Sequence, residues 1–269
     1  MVTIADKYDG SRENGPASSW MEHRTEINGI AVNARFSKRA VDEIFLPMLD
    51  CFRQMRQEKG RRILVMLAAP PGAGKSTLLS FLQAISGGAV QAIGMDGFHR
   101  RQEDLQQHFT QRDGKRVSLV EIKGAPITFD LDKLTGSIRR VAAGENCGWP
   151  VYDRLLHNPV EDAVTVDGEI VLLEGNYLLL DADGWRELRR YADCTVQIGA
   201  DENMLRSRLI DRRMKTGVEE AAAIRFVDFS DMPNVRLCLR SSMPADLQLW
   251  MDGDGDYRMV KAPSLFHAD

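Results

Sequence analysis

Residues 69 to 76 read APPGAGKS and lie between the apolar run ILVMLA at Ile63–Ala68 and a helix opening near Lys75. A strand, a glycine-rich turn and a helix in that order form a phosphate-cradling loop of the Walker A type. In such a loop successive backbone N–H groups hold the β-phosphate of a nucleoside triphosphate. The lysine reaches the β- and γ-phosphates, and the following hydroxyl joins the shell of a magnesium ion. Pro71, Gly72, Ala73, Gly74, Lys75, Ser76 and Thr77 are therefore the expected nucleotide-binding residues, with Ser76 also a metal ligand. The pattern usually begins with glycine. Here Ala69 stands there, and Pro70 and Pro71 stiffen the turn, while Gly72 and Gly74 carry the closest approaches. No NKxD-type guanine-reading motif is present, so ATP is the expected nucleotide.

Outward from the loop, strand-like and helix-like segments alternate: Ile63–Ala68, the helix from Lys75, 90–95, a long polar excursion, 169–173 and 194–198. That order predicts an α/β fold, a three-layer P-loop NTPase architecture with a central parallel sheet covered by helices. The run at 170–173 is continuously apolar, as a strand buried on both faces requires. Ligands on such sheets collect at the carboxyl ends of the strands. Upstream, residues 1–22 are polar and broken by Gly10, Gly15 and Pro16, which reads as a flexible tail with no assigned chemistry. Residues 25–36 alternate about Asn28-Gly29, a type I′ hairpin signal. From Ser37, a candidate N-cap, apolar residues recur at helical spacing to Gly60, with Pro47 expected to bend or interrupt the helix. This hairpin and helix, 23–60, are expected to pack on a kinase-like domain spanning 61–269. Within it, 97–163 forms a substrate excursion, 202–217 an arginine-rich lid, and the runs at 247–250 and 257–260 a closing hairpin. The hairpins at the two ends would cover sheet edges or support a homodimer.

Composition narrows the partners. The 269 residues carry 28% charged side chains and a formal net charge of −4, without a basic run of nucleic-acid-binding length, so a small anionic substrate fits better than DNA or RNA. Cys51, Cys147, Cys194 and Cys238 are scattered without a CxxC pair, which points to reduced thiols rather than zinc or disulfides. No apolar stretch approaches membrane-spanning length and no basic-then-apolar leader opens the sequence, so a cytoplasmic protein with no membrane partner is expected.

Two carboxylates belong with the loop. Asp96 ends the second strand in MDGFH, where it could accept the proton of an attacking hydroxyl or be the N-cap or turn residue that begins the next segment. Glu174 ends the third strand in LLEGN, where it could hold magnesium or accept local backbone hydrogen bonds. Phe98, His99, Asn176 and Tyr177 flank these positions as candidate acceptor contacts, and Tyr177 equally suits a core run with 178–180. KGAPITFD at 123–130 and PVYDRLLHNPVEDA at 150–163 add Lys123, Tyr152, Arg154 and His157 as polar candidates, with Asp130 either a contact or a helix N-cap. Arg206, Arg208, Arg212, Arg213 and Lys215 stud the lid, either closing on the transferring phosphoryl group or pairing with Asp201, Glu202 and Asp211 on an exposed helix. Arg208 and Arg212, one turn apart, are the first choices for catalysis.

Taken together, APPGAGKST, MDGFH, KGAP followed by TFD, PVYDRLLHNPVEDA and EGNYLLLD, in this order, resemble the phosphoribulokinase and uridine kinase superfamily over about residues 24–262. The resemblance is strongest to its uncharacterised bacterial branch, termed nucleoside kinase-like or fructose-transport kinase-like. It implies that Asp96 is the catalytic base, that Tyr152 and His157 contact the acceptor, and that Glu174, Arg208 and Arg212 keep the family's roles. Lys123, Gly124, Pro126 and Asp130 match the spacing of pantothenate kinases. Where uridine kinases carry an aromatic residue after the YD pair this chain has Arg154, which suits a sugar or sugar acid better than uridine. DMPN at 231–234 places Asn234 as a candidate adenine contact. The expected activity is ATP-dependent phosphorylation of a hydroxyl on a small metabolite such as a sugar derivative, nucleoside or pantothenate-like molecule. The alternative is a P-loop ATPase or nucleotide switch that regulates a partner protein.

Overall fold

Strand β3 (Ile63–Ala68) is buried at every position, and its side chains alternate between two cores. Ile63, Val65 and Leu67 join one apolar cluster and Leu64, Met66 and Ala68 the other. A strand buried on both faces needs a layer on each side, and the structure supplies helices there. The computed structural model describes residues 19–27 and 30–262. The expected tail therefore lies largely outside the described residues, as does the Asn28-Gly29 turn.

In chain order the strands are β1 (Trp20–Ile27), β2 (Ile30–Ser37), β3, β4 (Val90–Gly94), β5 (Phe109–Arg112), β6 (Lys115–Ser118), β7 (Cys147–Asp153), β8 (Asn158–Val166), β9 (Ile170–Gly175), β10 (Cys194–Ala200), β11 (Leu247–Met251) and β12 (Tyr257–Lys261). The central sheet has the order β12-β11-β10-β3-β9-β4. It is parallel from β11 to β4, and β12 joins antiparallel. The C-terminal hairpin β11–β12 thus forms one edge of the central sheet. β1 begins at Trp20, so residues 20–22, assigned to the lead-in, are already paired with 35–37.

The first hairpin packs on the helix that follows the phosphate loop. His23 Nε2 and Thr25 Oγ1 meet the Ser80 hydroxyl at 3.0 and 2.8 Å, and Phe36 stacks on Phe81 at 4.1 Å. Ser37 caps the next helix, accepting a hydrogen bond from the Ala40 amide at 2.9 Å. Pro47 does not interrupt this helix. A π-helical turn at Val41–Phe45 precedes Leu46–Lys59, and Gly60 ends the run at φ 62°, a left-handed conformation that glycine adopts without strain.

The polar excursion between β4 and β9 is not irregular. It folds into two hairpins, β5–β6 and β7–β8, with the helix Leu131–Ala142 between them. A small third core, Leu105, Val117, Leu119, Ile122 and Ala125, anchors the β5–β6 hairpin with Phe229 against it. Among the described residues no helix is long and apolar enough to cross a membrane.

Candidate active site

Three neighbouring strands deliver the chemistry. β3 ends in the phosphate loop, β9 in Glu174 and β4 in the turn that carries Asp96. Gly72 and Gly74 adopt φ of 85° and 72°, which L side chains resist, so these glycines let the loop curl before the helix Lys75–Ile85. The lid helix Glu202–Met214 packs directly on the loop, since a Cβ on Gly72 would lie 3.2 Å from both the Leu205 carbonyl oxygen and Leu209 Cγ.

Ser76 Oγ donates to Glu174 Oε1 at 2.7 Å, and Lys75 Nζ lies 3.9 Å from Oε2. Glu174 is buried, with 7% exposure, and Oε2 has no hydrogen-bond partner among the described residues. Burial raises its pKa; Lys75 opposes this, Asp96 adds to it, and the Ser76 bond lowers it. Among the described residues no backbone amide is hydrogen-bonded to this carboxylate. Gly94 is the N-cap of the 3-10 turn Met95–Phe98, and Asp96 lies inside that turn, so it is a turn residue rather than the cap. The turn is clamped from outside: Trp149 Nε1 donates to the Gly94 carbonyl at 2.8 Å, and Gly97 lies flush against Pro150.

Asp96 stands at the centre of the charge distribution. Burial is the leading influence on Glu174, His99, Tyr152, Tyr177 and Arg212, and in each the Asp96 charge also raises proton affinity. His99 Nδ1 is 2.8 Å from the Asp96 carbonyl oxygen and its ring lies 5.2 Å from that of Tyr152. Lys123 Nζ sits 4.7 Å over the Tyr152 ring and donates to Gln102 Oε1 and the His157 carbonyl at 2.9 and 3.0 Å. Burial lowers its pKa to about 8, Glu103 opposing. A cleft of about 280 Å³ is lined by Ser76, Glu174, Asp96 and Tyr152 together with Ser80 and Glu26.

Other candidates are placed differently. Phe98 is buried in the core against Trp149 at 4.8 Å, so it supports the Asp96 turn rather than contacting an acceptor. Tyr177 is fully buried and donates to the Gly124 carbonyl at 2.6 Å, fixing the KGAP turn. Asn234 is buried, donates to the Ser230 carbonyl at 3.1 Å and lies against Gly124. Asp130 caps the helix Leu131–Ala142. His157 is exposed at φ 52° and reaches Lys123 through its backbone oxygen. Arg154 is exposed, close enough to Arg212 to disfavour its protonation.

The lid cations divide. Arg206 pairs with Asp228 at 2.6 and 2.8 Å, and Arg213 lies 3.4 Å over Phe226. Asp201 caps the lid helix and Glu202 pairs with Arg236 and Arg240, so the local pairs suggested by sequence do not form. Arg208 and Arg212 form no ion pair among the described residues. Arg208 Nη2 lies 3.4 Å from where a Cβ on Gly74 would stand, over the phosphate loop. Sequence reasoning missed Trp149 and Glu26, because no motif marks them.

Comparison with known proteins agrees with this geometry. The model of the Phosphoribulokinase / Uridine kinase family matches residues 64–246. The uncharacterised protein YggC of Escherichia coli is 37% identical over 246 residues, 89% of this chain and 100% of that one. A provisionally assigned uridine kinase of Schizosaccharomyces pombe is 30% identical over 70% of this chain and 83% of its own length. A crystal structure from Silicibacter, provisionally assigned as a fructose transport system kinase, superposes with a TM-score of 0.67 at 30% identity, covering 76% of this chain and 98% of that one. With the family model matched over residues 64–246 and relatives 30% or more identical over most of the chain, the chain belongs to the phosphoribulokinase/uridine kinase family of P-loop kinases.

Proposed function

We propose that the protein transfers the γ-phosphoryl group of ATP to a hydroxyl of a small metabolite. The observation that carries this reading is the convergence of the phosphate loop, Glu174 and Asp96 at three adjacent strand ends, with Ser76 bonded to Glu174. Asp96 accepts the hydroxyl proton as the acceptor oxygen bonds to phosphorus, and the bond from phosphorus to the bridging oxygen breaks to release ADP. Lys75 and the lid arginines Arg208 and Arg212 neutralise charge on the phosphoryl oxygens, and the 202–217 segment excludes water as a lid. His99, Lys123 and Tyr152 line the acceptor side, with Arg154 at its exposed rim.

A magnesium ion fits the oxygen donors present. Glu174 Oε2 is buried and unpartnered among the described residues, and the Ser76 hydroxyl touches the other carboxylate oxygen. When bound, the ion supplies charge neutralisation on the phosphates. A cytoplasmic setting, where ATP is abundant, suits this activity.

The test is acceptor-dependent ADP release across sugars, sugar acids, polyols, nucleosides and pantothenate, with Asp96→Asn as the control. Turnover is expected to fall by about 10²–10⁴ in the variant while ATP binding is retained. Loss of ATP binding in Asp96→Asn, or turnover that needs no acceptor, would count against the assignment.

A further inference from the structure

Besides Glu174 Oε2, three side-chain atoms among the described residues are buried without a hydrogen-bond partner: Arg112 Nη1, Asn176 Oδ1 and Ser230 Oγ. Each such atom costs roughly 1–3 kcal/mol when left unpaired. Scattered defects would need no common cause, but these three come together from distant parts of the chain. The Arg112 guanidinium lies over the Phe229 ring, 5.2 Å from its centroid, and Ser230 is the next residue. The Ser230 carbonyl accepts from Asn234 Nδ2, which lies 3.7 Å from where a Cβ on Gly124 would stand. The Gly124 carbonyl accepts the Tyr177 hydroxyl at 2.6 Å, and the backbone oxygen of Asn176, just before it, takes the Cys238 thiol at 3.3 Å. The residues that carry the unpartnered atoms therefore lie in one neighbourhood, a wall where the β5–β6 hairpin, the π-helical turn Val227–Asp231 and the segment after β9 meet.

We propose that this wall is the recognition half of the acceptor site, and that Arg112 selects an acceptor bearing an anionic group, a carboxylate or a phosphate. Asn176 Oδ1 and Ser230 Oγ then take hydroxyls next to that group while the reacting hydroxyl lies at Asp96. This rests on the kinase reading above. Arg112 suits the role because a guanidinium offers a planar fork that matches an oxyanion, and the Phe229 face fixes its plane. A neutral polyol would satisfy a donor without offsetting the buried charge. Among the described residues no carboxylate pairs with Arg112. Asp231 shares the wall, but the cations acting on it are Arg212 and Arg213, which oppose the rise that burial imposes on its pKa. Besides burial, the charges acting on the Tyr177 hydroxyl include Cys238, Asp96, Asp231 and Arg112, so the wall and Asp96 act on a common side chain.

The experiment titrates the full-length protein, with magnesium and ADP present, against matched probes: gluconate with glucitol, glycerate with glycerol, and ribose 5-phosphate with ribose. Thermal shift and calorimetric Kd are read for the wild type, Arg112→Ala, Arg112→Lys and Ser230→Ala. An acid or phosphorylated probe should bind where its neutral partner does not. Arg112→Ala should weaken that binding about 10- to 100-fold, Arg112→Lys should fall between, and ADP affinity should not change. The carboxylate and phosphate arms identify which anion is read. Equal binding of acid and neutral partners, an unaltered Kd in Arg112→Ala, or no anionic probe bound at all would overturn the proposal. Acceptor-dependent ADP release on neutral alcohols alone would overturn it too while leaving the kinase reading intact. Should Arg112→Ala unfold, Arg112→Lys and Ser230→Ala carry the comparison.

Discussion

Gly97→Ala tests whether β7 holds the catalytic turn in place. An added Cβ would stand 1.9 Å from the Pro150 carbonyl oxygen, 2.3 Å from its carbon and 2.8 Å from the Val151 nitrogen. All three are backbone atoms, so no rotamer change relieves the contact. Restoring a separation of ~3.5 Å parts the 95–98 turn from β7 by ~1.6 Å. Asp96 precedes the altered residue and moves with it. A displacement of ~1 Å in a reacting group costs on the order of 10² in rate. The strain itself costs ~1–3 kcal/mol, a fall in Tm of ~2–12 °C for a chain of this size. Acceptor-dependent ADP release measures the first effect, differential scanning calorimetry the second, and ATP titration serves as the control. The loop on β3 has no part in the clash, so nucleotide affinity should stay near wild type. Near-normal turnover with an unchanged Tm would refute the clamp.

The lid makes a paired prediction. Arg206→Ala removes an exposed pair with Asp228 and should cost under ~1 kcal/mol with turnover unchanged, whereas Arg212→Ala should lower kcat on the order of 10²–10³ with the fold intact. Equal effects of the two on kcat would remove Arg212 from the chemistry. Lys123 predicts a pH signature. Burial drops its folded pKa from 10.5 to about 8, below the unfolded value, so above pH 8 the unfolded chain binds a proton that the folded one has released. Stability relative to Lys123→Met should therefore rise from pH 8 to 10.5, by less than the full shift implies because the amine is only half-buried. A difference between the two proteins that stays flat over that range in urea titrations would contradict the assigned shift.

The sheet was legible where local signals and tertiary demands agree. Continuous apolar runs at 63–68 and 170–173 announce strands buried on both faces, and glycine spacing announces the loop between β3 and its helix. The excursion was opaque because β5 and β6 are only four residues each and β8 is exposed at six consecutive positions, so their alternation is weak. Phe98 and Tyr177 sit in functional-looking motifs, but what decides their roles is Trp149 and the Gly124 carbonyl, distant in sequence. The neighbours of Asn234, Ser230 and Gly124, are likewise set by how the 227–240 segment folds against KGAP. Arg112 carries no motif at all, and only its missing partner draws notice.

The order β3-β9-β4 also works as a ruler. Adjacent strands are ~4.8 Å apart, so the ends of β3, β9 and β4, which carry the phosphate loop, Glu174 and the Asp96 turn, stand at steps of ~4.8 Å set by backbone hydrogen bonds. Of the excursion between β4 and β9, only β7 bears on that scale, through Trp149 and Pro150, which hold the Asp96 turn in place. The β5–β6 hairpin attaches to the ruler without being part of it. Its sequence can drift while the spacing of the strand ends stays fixed by the sheet.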